Sequence, residues 1–468
     1  MAAPSPARRA AAQILMAVES REAWASELLR ARGAGLSPAD RALASELVLG
    51  VLRRRQWLDH RLNAVLAPRG WSVERLDSGL RAALRLGLYQ LIWLERIPAA
   101  VAVDQSVGLA RVLRLASGAG LVNAVLRNCA RASDLRAASA LWPGPADWND
   151  SGFQAWLSHP PWLLSRWRAR FGEAAAREIA IYDNAAPPLH LCFHPGLDPE
   201  RVLGELASQG VVAEPLWLRG AWVVRSGEAT AVESFRCRRY WIQTAASQFM
   251  AWLLLAGAPA VPADGSVDAC AAPGGKAALL AAAGGPVLAI ELHWKRAVQM
   301  RRRFPAVAGV PESPAWPGLH AVAADAARGW PAASAFSRIL LDAPCTGSGT
   351  LARNPELRWR LQPSDPPRLA ELQARLLASA LRQAAPGARL LYSVCSLEPE
   401  EGEQLIARAL ETLPAWRPLS LAPLAAAMLQ AGRLHRLPSG AVFSGPFLSL
   451  PPGPETGAGF FAAMLARD

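Results

Sequence analysis

Apolar residues recur at spacings of three and four along the first part of the chain, from Arg8 to about Ala140. Clear examples are Ala12, Leu15 and Met16, and then Leu43, Leu47 and Val51. This spacing places apolar side chains on one face of a helix, so it predicts a succession of amphipathic helices. Ser37 and Pro38 fit a helix start, because Ser is a common N-cap and Pro suits the first helical position. We therefore expect an all-α domain over residues 1–142.

Turn residues then dominate from Leu141 to Ser158, which predicts a linker with a boundary near residues 141–150. Beyond it, helical spacing alternates with strand-like alternation of apolar and polar residues. The expected elements are a helix over 160–180, a strand over 189–193, a helix over 201–209 and a strand over 217–224. They predict a small α/β module over residues 160–235.

From Gly265 onward, short apolar runs alternate with helical patterns. The expected strands are 266–270, 286–291, 319–324, 338–342 and 388–393. Strands that alternate with helices favour a doubly wound parallel sheet, and we assign this α/β domain to residues 236–468. Ligands of such sheets bind outside the carboxyl ends of the strands. Residues at these ends are therefore the candidates for chemistry.

The composition adds a partner to this picture. The 468 residues carry a formal net charge of +12, and residues 1–142 hold 20 Arg against 11 Asp plus Glu. A basic helical domain favours a polyanion, and RNA contact is expected from Arg53, Arg54, Arg55, Arg81, Arg85, Arg111, Arg114, Arg127 and Arg131. A bundle used only for docking is the alternative.

Cysteine usage and hydropathy narrow the class of protein. The six cysteines form no close pairs, so they predict neither a disulfide framework nor a zinc site, and reduced thiols in a cytoplasmic protein are expected. The longest apolar run, from Phe249 to Ala263, is broken by Gly257 and two prolines and predicts no membrane span. His190 and His194 lie on an expected strand and would not share a ligand geometry, so no metal is expected.

The first strand of the parallel sheet ends in a glycine turn that opens a helix. The turn reads Cys270, Ala271, Ala272, Pro273, Gly274, Gly275 and Lys276. Glycine tolerates unusual backbone angles and lets a cofactor approach backbone N–H groups. Glu291, Asp325 and Asp342 close the next three strands. A single acid at such a place could cap a helix, but three in register predict a cofactor pocket.

Two cysteines, Cys345 and Cys395, each lie just past the end of an expected strand. If those strands are neighbours, both thiols face one cavity. A buried cysteine is normally an inert small apolar residue. Beside a cofactor crevice, and with Lys276 available to favour a thiolate, a nucleophile is the better interpretation.

These segments resemble the Nol1/Nop2/Sun family of RNA 5-methylcytosine methyltransferases. The resemblance rests on residues 268–276, 342–345, 353–356, 392–396, 398–401 and 459–465. Residues 49–53, 87–91 and 122–127 resemble a NusB-like RNA-binding domain. The combination is similar to the subgroup of the family that acts on bacterial small-subunit ribosomal RNA.

The resemblance implies a Rossmann-like S-adenosylmethionine-dependent methyltransferase domain behind a NusB-like domain. Its implied reaction is methyl transfer to C5 of a cytosine in small-subunit (16S) ribosomal RNA. Cys395 would add to C6, Cys345 would serve product release, and Asp342 would lie near the base edge or orient the cofactor. Cys270 to Lys276 would line the S-adenosylmethionine site, with Glu291 at the ribose and Asp325 at the adenine. The module over residues 160–235 would contact RNA. No membrane or metal partner is implied, and a monomer is favoured.

Several positions depart from the family pattern. They are Glu291 in place of Asp, Val394 in place of Thr, Thr244 in place of Asp, and Cys192 with His194 in a segment that is usually Leu-Arg-Val-Asn. Two alternatives stay open, the same chemistry on transfer RNA and a non-catalytic RNA-binding protein with a vestigial methyltransferase fold. The target cytosine, and whether naked RNA or a preribosomal particle is the substrate, are also open.

Overall fold

The computed structural model describes residues 3–20, 23–132, 147–256, 265–305, 314–332 and 335–468. In these residues the helices are α1 Pro6–Glu19, α2 Ala25–Gly33, α3 Pro38–Arg53, α4 Arg55–Leu66, α5 Ser78–Trp93, α6 Ala99–Val112, α7 Ala119–Arg131, α8 Ser151–Leu157, α9 Pro161–Asp183, α10 Pro199–Ser208, α11 Glu233–Arg236, α12 Ala245–Leu255, α13 Gly275–Ala282, α14 Trp294–Arg303, α15 Leu357–Arg360, α16 Asp365–Arg382, α17 Glu403–Glu411 and α18 Leu421–Gln430. None of these helices is long and apolar enough to cross a membrane.

The strands of the same residues are β1 His190–Phe193, β2 Val212–Pro215, β3 Ala221–Ser226, β4 Tyr240–Ile242, β5 Ser266–Asp268, β6 Val287–Glu291, β7 Leu319–Ala323, β8 Phe336–Asp342, β9 Ala384–Val394, β10 Trp416–Leu419, β11 Val442–Ser444, β12 Phe447–Leu450 and β13 Phe460–Arg467. They form a four-stranded sheet in the order β2-β3-β1-β4 and a nine-stranded sheet in the order β11-β12-β13-β9-β8-β5-β6-β7, with β10 paired to β13.

The chain divides into two compact units. The first holds Met1–Ala186 together with Leu351–Leu361, and the second holds Pro187–Thr350 together with Gln362–Asp468. The first unit therefore extends past the expected boundary at 141–150, most of which lies outside the described residues. A compact unit can hold more than one domain, so the division into domains 1–142, 160–235 and 236–468 stays a prediction.

The helical prediction for the start of the chain is confirmed by α1 to α7. Helix α3 begins at Pro38, and the hydroxyl of Ser37 accepts from the backbone N–H of Asp40 at 3.1 Å, which is the expected N-cap. Helix α5 is buried along most of its length, and Leu84 and Leu88 are fully buried in the core of the first unit. Burial of its apolar face, more than helix propensity, holds such a helix in place.

Five of the nine arginines expected to contact RNA are engaged inside the first unit. They are Arg53, which donates to the carbonyl of Ala352, Arg54, which lies over Trp93, Arg55, which lies over Trp359 and pairs with Glu19, and Arg81 and Arg85, which also pair with Glu19. The expectation that these five arginines contact RNA is therefore corrected, because their guanidinium groups stabilise the fold of the first unit. Arg111, Arg114, Arg127 and Arg131 are exposed.

Residues 351–361 belong to the first unit although they follow residues of the second unit in the chain. Arg358, which is fully buried, donates to the carbonyls of Ser158 and Asp183 and to the side chain of Asn184. Glu356 accepts from the backbone N–H of Ala25 at 2.9 Å. Burial lowers the pKa of Arg358 to about 9, so the guanidinium stays charged at neutral pH and needs these acceptors.

The second unit contains the predicted Rossmann-like parallel sheet. Strands β7, β6, β5, β8 and β9 are neighbours in this order and each pair is parallel. Four of the five expected strands match to within two residues, but β9 begins at Ala384 rather than 388. Strand β5 ends at Asp268, two residues early, because the chain turns there into the glycine loop.

The antiparallel parts of the second unit depart further from the prediction. Strand β3 covers Ala221–Ser226 instead of 217–224, because the N–H of Ala221 closes a turn on the carbonyl of Leu218. Strands β2, β4, β10, β11 and β12 have no counterpart in the prediction. The last strand suggested by the family resemblance is present as β13, which lies antiparallel between β9 and β12.

Candidate active site

The carboxyl ends of the five parallel strands bring the predicted site residues to one edge of the sheet. Asp268 ends β5, Glu291 ends β6 and Asp342 ends β8, while Asp325 follows β7 and Cys395 follows β9. Since neighbouring strands of a sheet lie about 4.8 Å apart, residues on adjacent strand ends share one crevice. The sequence prediction of a single crevice is consistent with this order of strands.

Lys276 and Asp342 form the charged pair of this crevice. The Nζ of Lys276 lies 2.6 Å from Oδ2 of Asp342, and the hydroxyl of Ser393 donates to Oδ1 at 2.8 Å. Burial alone would lower the pKa of Lys276, but the carboxylate of Asp342 outweighs it and raises that pKa above its usual value. Lys276 is therefore a permanent cation, and its direct partner is Asp342 rather than a thiol.

The two predicted thiols meet at the next pair of strand ends. The sulfur atoms of Cys345 and Cys395 are 3.4 Å apart. The hydrogen bond to Cys395, followed by burial, raises the pKa of Cys345 well above its ordinary value. Cys345 therefore stays a thiol. Either sulfur can be the donor of the contact, which brings the two predicted thiols together as expected.

Glu401 fixes the two turns that carry these thiols, and sequence reasoning assigned it no role. Its Oε1 accepts from the backbone N–H of Thr346 and from Gln373, both at 2.9 Å, and its Oε2 accepts from the hydroxyls of Thr346 and Ser396. Thr346 follows Cys345, and Ser396 follows Cys395. The buried carboxylate thus holds both turns at once, and its place in the 398–401 motif is the only signal that could have indicated it.

Asp268 is the second site residue that sequence reasoning left without a role. Its side chain is 1% exposed and lines the same pocket as Lys276 and Asp342. Among the described residues, neither carboxylate oxygen has a donor in good hydrogen-bond geometry, although the backbone N–H groups of Cys270 and Ala277 lie near enough to lower its pKa slightly. Burial raises the pKa of Asp268 to about 7, against the lowering effect of Lys276. A buried acid of this kind is unfavourable by itself and is commonly found at functional sites.

The glycine turn forms one wall of this pocket. The residues of the turn that line it are Cys270, Ala271, Ala272, Pro273, Gly275 and Lys276. Gly274 has a φ of 101°, which requires glycine, and a Cβ there would lie 2.6 Å from Met300. Gly275 is needed for close packing too, because a Cβ there would lie 2.7 Å from the side-chain oxygen of Gln243. The glycines serve packing as well as access to the pocket.

Glu291 and Asp325 lie at their strand ends but do not line this pocket. Glu291 is buried, accepts from the N–H of His293 at 2.9 Å and pairs with Arg296 at 3.4 Å. Asp325 accepts from the N–H of Ala327 and pairs with Arg328. Each carboxylate thus binds groups close to it in the chain, as expected for an acid at a strand end that has a local structural role.

The departures from the family pattern are accommodated by local structure. Thr244 caps α12 by accepting from the N–H of Ser247, and His194 packs edge-on against Trp316. Cys192 and Val394 are buried apolar residues. These four positions thus have structural roles of their own.

His190 is a core residue rather than a ligand. Its Nδ1 accepts from the N–H of Ala245 at 3.2 Å, and its Nε2 lies 2.9 Å from the carbonyl of Pro454. In the part of the chain that the structure describes, no group of three or more His, Cys, Asp or Glu could hold a metal ion.

Comparison of the sequence with known proteins indicates the family to which the chain is similar. A family described as 16S rRNA methyltransferase RsmB/F matches residues 259–466, and the NusB family matches residues 5–131. The ribosomal RNA small subunit methyltransferase B of Thermus thermophilus is 35% identical over 404 residues, which cover 85% of this chain and 86% of that protein. The enzyme of the same name from Pseudomonas putida is 32% identical over 433 residues, 91% of this chain and 94% of that protein.

A solved structure extends the likeness to the whole fold. The crystal structure of PH0851 matches with a TM-score of 0.74 at 22% identity and covers 99% of each chain. This match shows the fold, and the two relatives, each at least 32% identical over most of their length, show the family. The chain therefore belongs to the RsmB/F family of 16S rRNA methyltransferases and carries a NusB-family segment at its amino end.

Proposed function

We propose that this protein transfers a methyl group from S-adenosylmethionine to C5 of a cytosine in small-subunit ribosomal RNA, through a covalent bond between Cys395 and C6 of the base. The observation that carries the proposal is the pair of sulfur atoms 3.4 Å apart, beside the Lys276 and Asp342 pair. The names of the relatives from Thermus thermophilus and Pseudomonas putida support ribosomal RNA as the substrate.

The pocket residues fit S-adenosylmethionine. Asp268 is buried with both oxygens unpartnered, and the ammonium group of the methionine part would supply the missing cation. Glu291 and Asp325 are assigned to the ribose and the adenine, since Glu291 ends β6, which neighbours β5, and Asp325 follows β7, the strand beyond β6. When bound, the cofactor would supply an electrophilic methyl group and would leave as S-adenosylhomocysteine once its bond from sulfur to that methyl group is broken.

C5 of cytosine needs activation before it can accept that methyl group. The thiolate of Cys395 forms a bond to C6, and the electron pair of the C5–C6 double bond moves to C5. Asp342 is held by Lys276 and Ser393 where it can receive hydrogen bonds from the base edge. The two fixed partners keep its orientation constant, so the base is positioned without reorganisation of the site.

Product release reverses the covalent bond. After transfer, a base removes the proton from C5, the electron pair restores the C5–C6 double bond, and the bond from C6 to the sulfur of Cys395 breaks. We assign Cys345 to this stage because its sulfur is in contact with that of Cys395. The target base must leave its stack to reach the crevice, which costs least in single-stranded RNA.

Substitution of each cysteine tests the two roles. We expect Cys395→Ala to abolish methylation, and Cys345→Ala to accumulate a protein–RNA adduct that survives a denaturing gel. Cys237→Ala is the control, since Cys237 is another free cysteine but lies outside the crevice. Full activity of Cys395→Ala would disprove its assignment as the nucleophile.

The target and the alternatives have their own measurements. Bisulfite sequencing of ribosomal and transfer RNA, from cells with and without the gene, identifies the modified cytosine and separates the two substrates. A non-catalytic RNA-binding protein would show no binding of S-adenosylmethionine by calorimetry.

A further inference from the structure

A second cleft of the second unit carries positive charge without a carboxylate. It is lined by Arg219, Arg433, His194 and Trp252 with several apolar residues, and no Asp or Glu is found in the described part of its lining. Burial lowers the pKa of His194, so its imidazole is neutral at pH 7. The charge of the cleft therefore comes from the two arginines.

Backbone pairing places the two arginines side by side. The N–H of Arg219 donates to the carbonyl of Arg433 at 3.0 Å, and Leu218 and Leu434 form an antiparallel bridge. The next contact, from the N–H of His435 to the carbonyl of Trp217, continues the pairing at 2.9 Å. The fold itself, and not a flexible loop, thus brings two like charges together.

The guanidinium group of Arg433 is also held in place. It lies 3.8 Å from the centre of the Trp252 ring, and Trp252 is buried. Burial, and then the charge of Arg219, lowers the pKa of Arg433. Stacking compensates part of the unfavourable charge, but two adjacent cations without a carboxylate are best stabilised by an anion.

A neighbouring arginine shows the contrast. Arg436 lies three residues after Arg433 and pairs with Glu455 through both terminal nitrogens, one of them 3.0 Å from Oε2. The same loop therefore contains one arginine neutralised by the protein and one that is not. Because Arg436 has a carboxylate partner and the described lining of the cleft around Arg433 has none, an anionic ligand would stabilise the cleft.

We propose that the Arg219–Arg433 cleft binds phosphate groups of the RNA substrate. A guanidinium group matches a phosphodiester with two parallel hydrogen bonds, and two of them side by side can hold consecutive phosphates. Helix α12 contributes Ser247 to the strand-edge pocket and Trp252 to this cleft, so one helix borders both. The inference rests on the proposed RNA methyltransferase function and adds a contact that positions RNA without reading its sequence.

Salt-dependent RNA binding tests the proposal with the full-length protein. The probes are 16S ribosomal RNA transcribed in vitro and polyuridylate, and the proteins are wild type, the Arg219→Gln, Arg433→Gln double variant and the control Arg436→Gln. We expect the double variant to lose about tenfold in affinity for both RNAs, with a plot of log K against log salt less steep by about 1 to 2. Arg219→Gln alone, at an exposed position, should show about half of that change in slope.

Methylation kinetics separate this contact from the chemistry. The double variant should raise KM for RNA and leave kcat and the binding of S-adenosylmethionine unchanged. A folded double variant with the salt slope of wild type overturns the proposal, and so does a cleft that binds inorganic phosphate while RNA binding is unaffected. Failure of the proposed function is distinguishable, because the wild-type protein itself would then not methylate RNA, whatever the salt dependence of RNA binding by the variants.

Discussion

Asp268 and Glu401 are two buried carboxylates of the same unit with opposite surroundings. Asp268 is 1% exposed and, in the described part of the chain, has no donor in good hydrogen-bond geometry on either oxygen, whereas Glu401 is fully buried and accepts on both oxygens from four groups. Burial raises the pKa of both acids. The largest cause that lowers the pKa of Glu401 is a hydrogen bond, whereas the largest cause that lowers the pKa of Asp268 is the charge of Lys276. The partners of a buried acid, more than its burial, distinguish Glu401, which holds two turns together, from Asp268, for which we propose a cationic ligand.

The largest effect is expected from removal of the saturated carboxylate. Glu401→Ala leaves the hydroxyls of Thr346 and Ser396 and the amide of Gln373 without their acceptor, so we expect the free energy of unfolding to fall by about 3–5 kcal/mol. Urea unfolding measures this change. Methylation should fall with it, since both thiol turns lose their common anchor.

Glu411→Ala is the control, because Glu411 is exposed, and its effect should stay within about 0.5 kcal/mol. If Glu401→Ala were as stable as this control, the carboxylate would not be what holds the two turns.

Removal of the unpartnered carboxylate should have the opposite sign on stability. Asp268→Asn takes away a buried charge, so we expect the free energy of unfolding at pH 8 to rise by about 1–3 kcal/mol. Binding of S-adenosylmethionine should weaken at least tenfold, because the proposed partner of its ammonium group is lost. Thermal unfolding and calorimetry measure the two effects.

Asp198→Asn serves as the control for that variant, since Asn caps a helix about as well as Asp and Asp198 caps α10. Unchanged cofactor affinity in Asp268→Asn would place the ammonium group elsewhere in the pocket.

The same contrast predicts a pH dependence. The pKa of Asp268 is raised to about 7 in the folded protein, whereas an unfolded aspartate ionises near 4. Between these values the unfolded state binds fewer protons, so this group makes stability fall as pH rises from about 4 to 7. Unfolding followed over this range should show the decline in wild type and a weaker one in Asp268→Asn.

Cofactor binding should show the complementary trend. A cation binds the ionised form of Asp268, so affinity for S-adenosylmethionine should rise by up to about tenfold per pH unit below pH 7 and then level off. Proton release, measured by calorimetry in two buffers of different ionisation enthalpy, provides the check. An affinity independent of pH would mean that Asp268 does not change its protonation on binding.

Loss of one of the two hydrogen-bond partners of Asp342 should have the smallest effect of these substitutions. Ser393→Ala removes one of the two groups that donate to Asp342 and leaves Lys276 in place. We expect a loss of about 1 kcal/mol in the free energy of unfolding and a decrease of a few fold in kcat. Ser420→Ala, on an exposed hydroxyl outside the crevice, gives the baseline for the substitution.

The sequence was sufficient for the parts of the site that lie within short segments. The strand ends and the turn from Cys270 to Lys276 follow from local pattern, and the parallel neighbours β8 and β9 bring Cys345 and Cys395 together as expected. The partners of Glu401 and Asp342 could not be read from the sequence, because Thr346 is 55 positions from Glu401 and Lys276 is 66 from Asp342.

The prediction of strands was limited in the same way, by contacts between residues distant along the chain. Parallel strands with continuous apolar runs were found, but β11 and β12 are three and four residues long and lie in a segment interrupted by proline and glycine. Their position depends on pairing with β13 rather than on their own pattern. Arg85 was assigned to RNA from composition, but its two carboxylate partners are apparent only in three dimensions.

The segment Leu351–Leu361 has a consequence for the order of events on the ribosome. Residues 1–186 leave the exit tunnel long before Arg358 and Glu356, which complete the contacts of the first unit, have been translated. At roughly 5–20 residues per second the intervening chain takes on the order of ten seconds or more to make. During that interval the surface of the nascent NusB-family part that these residues contact stays uncovered. Its final packing can form only after most of the catalytic half has been synthesised.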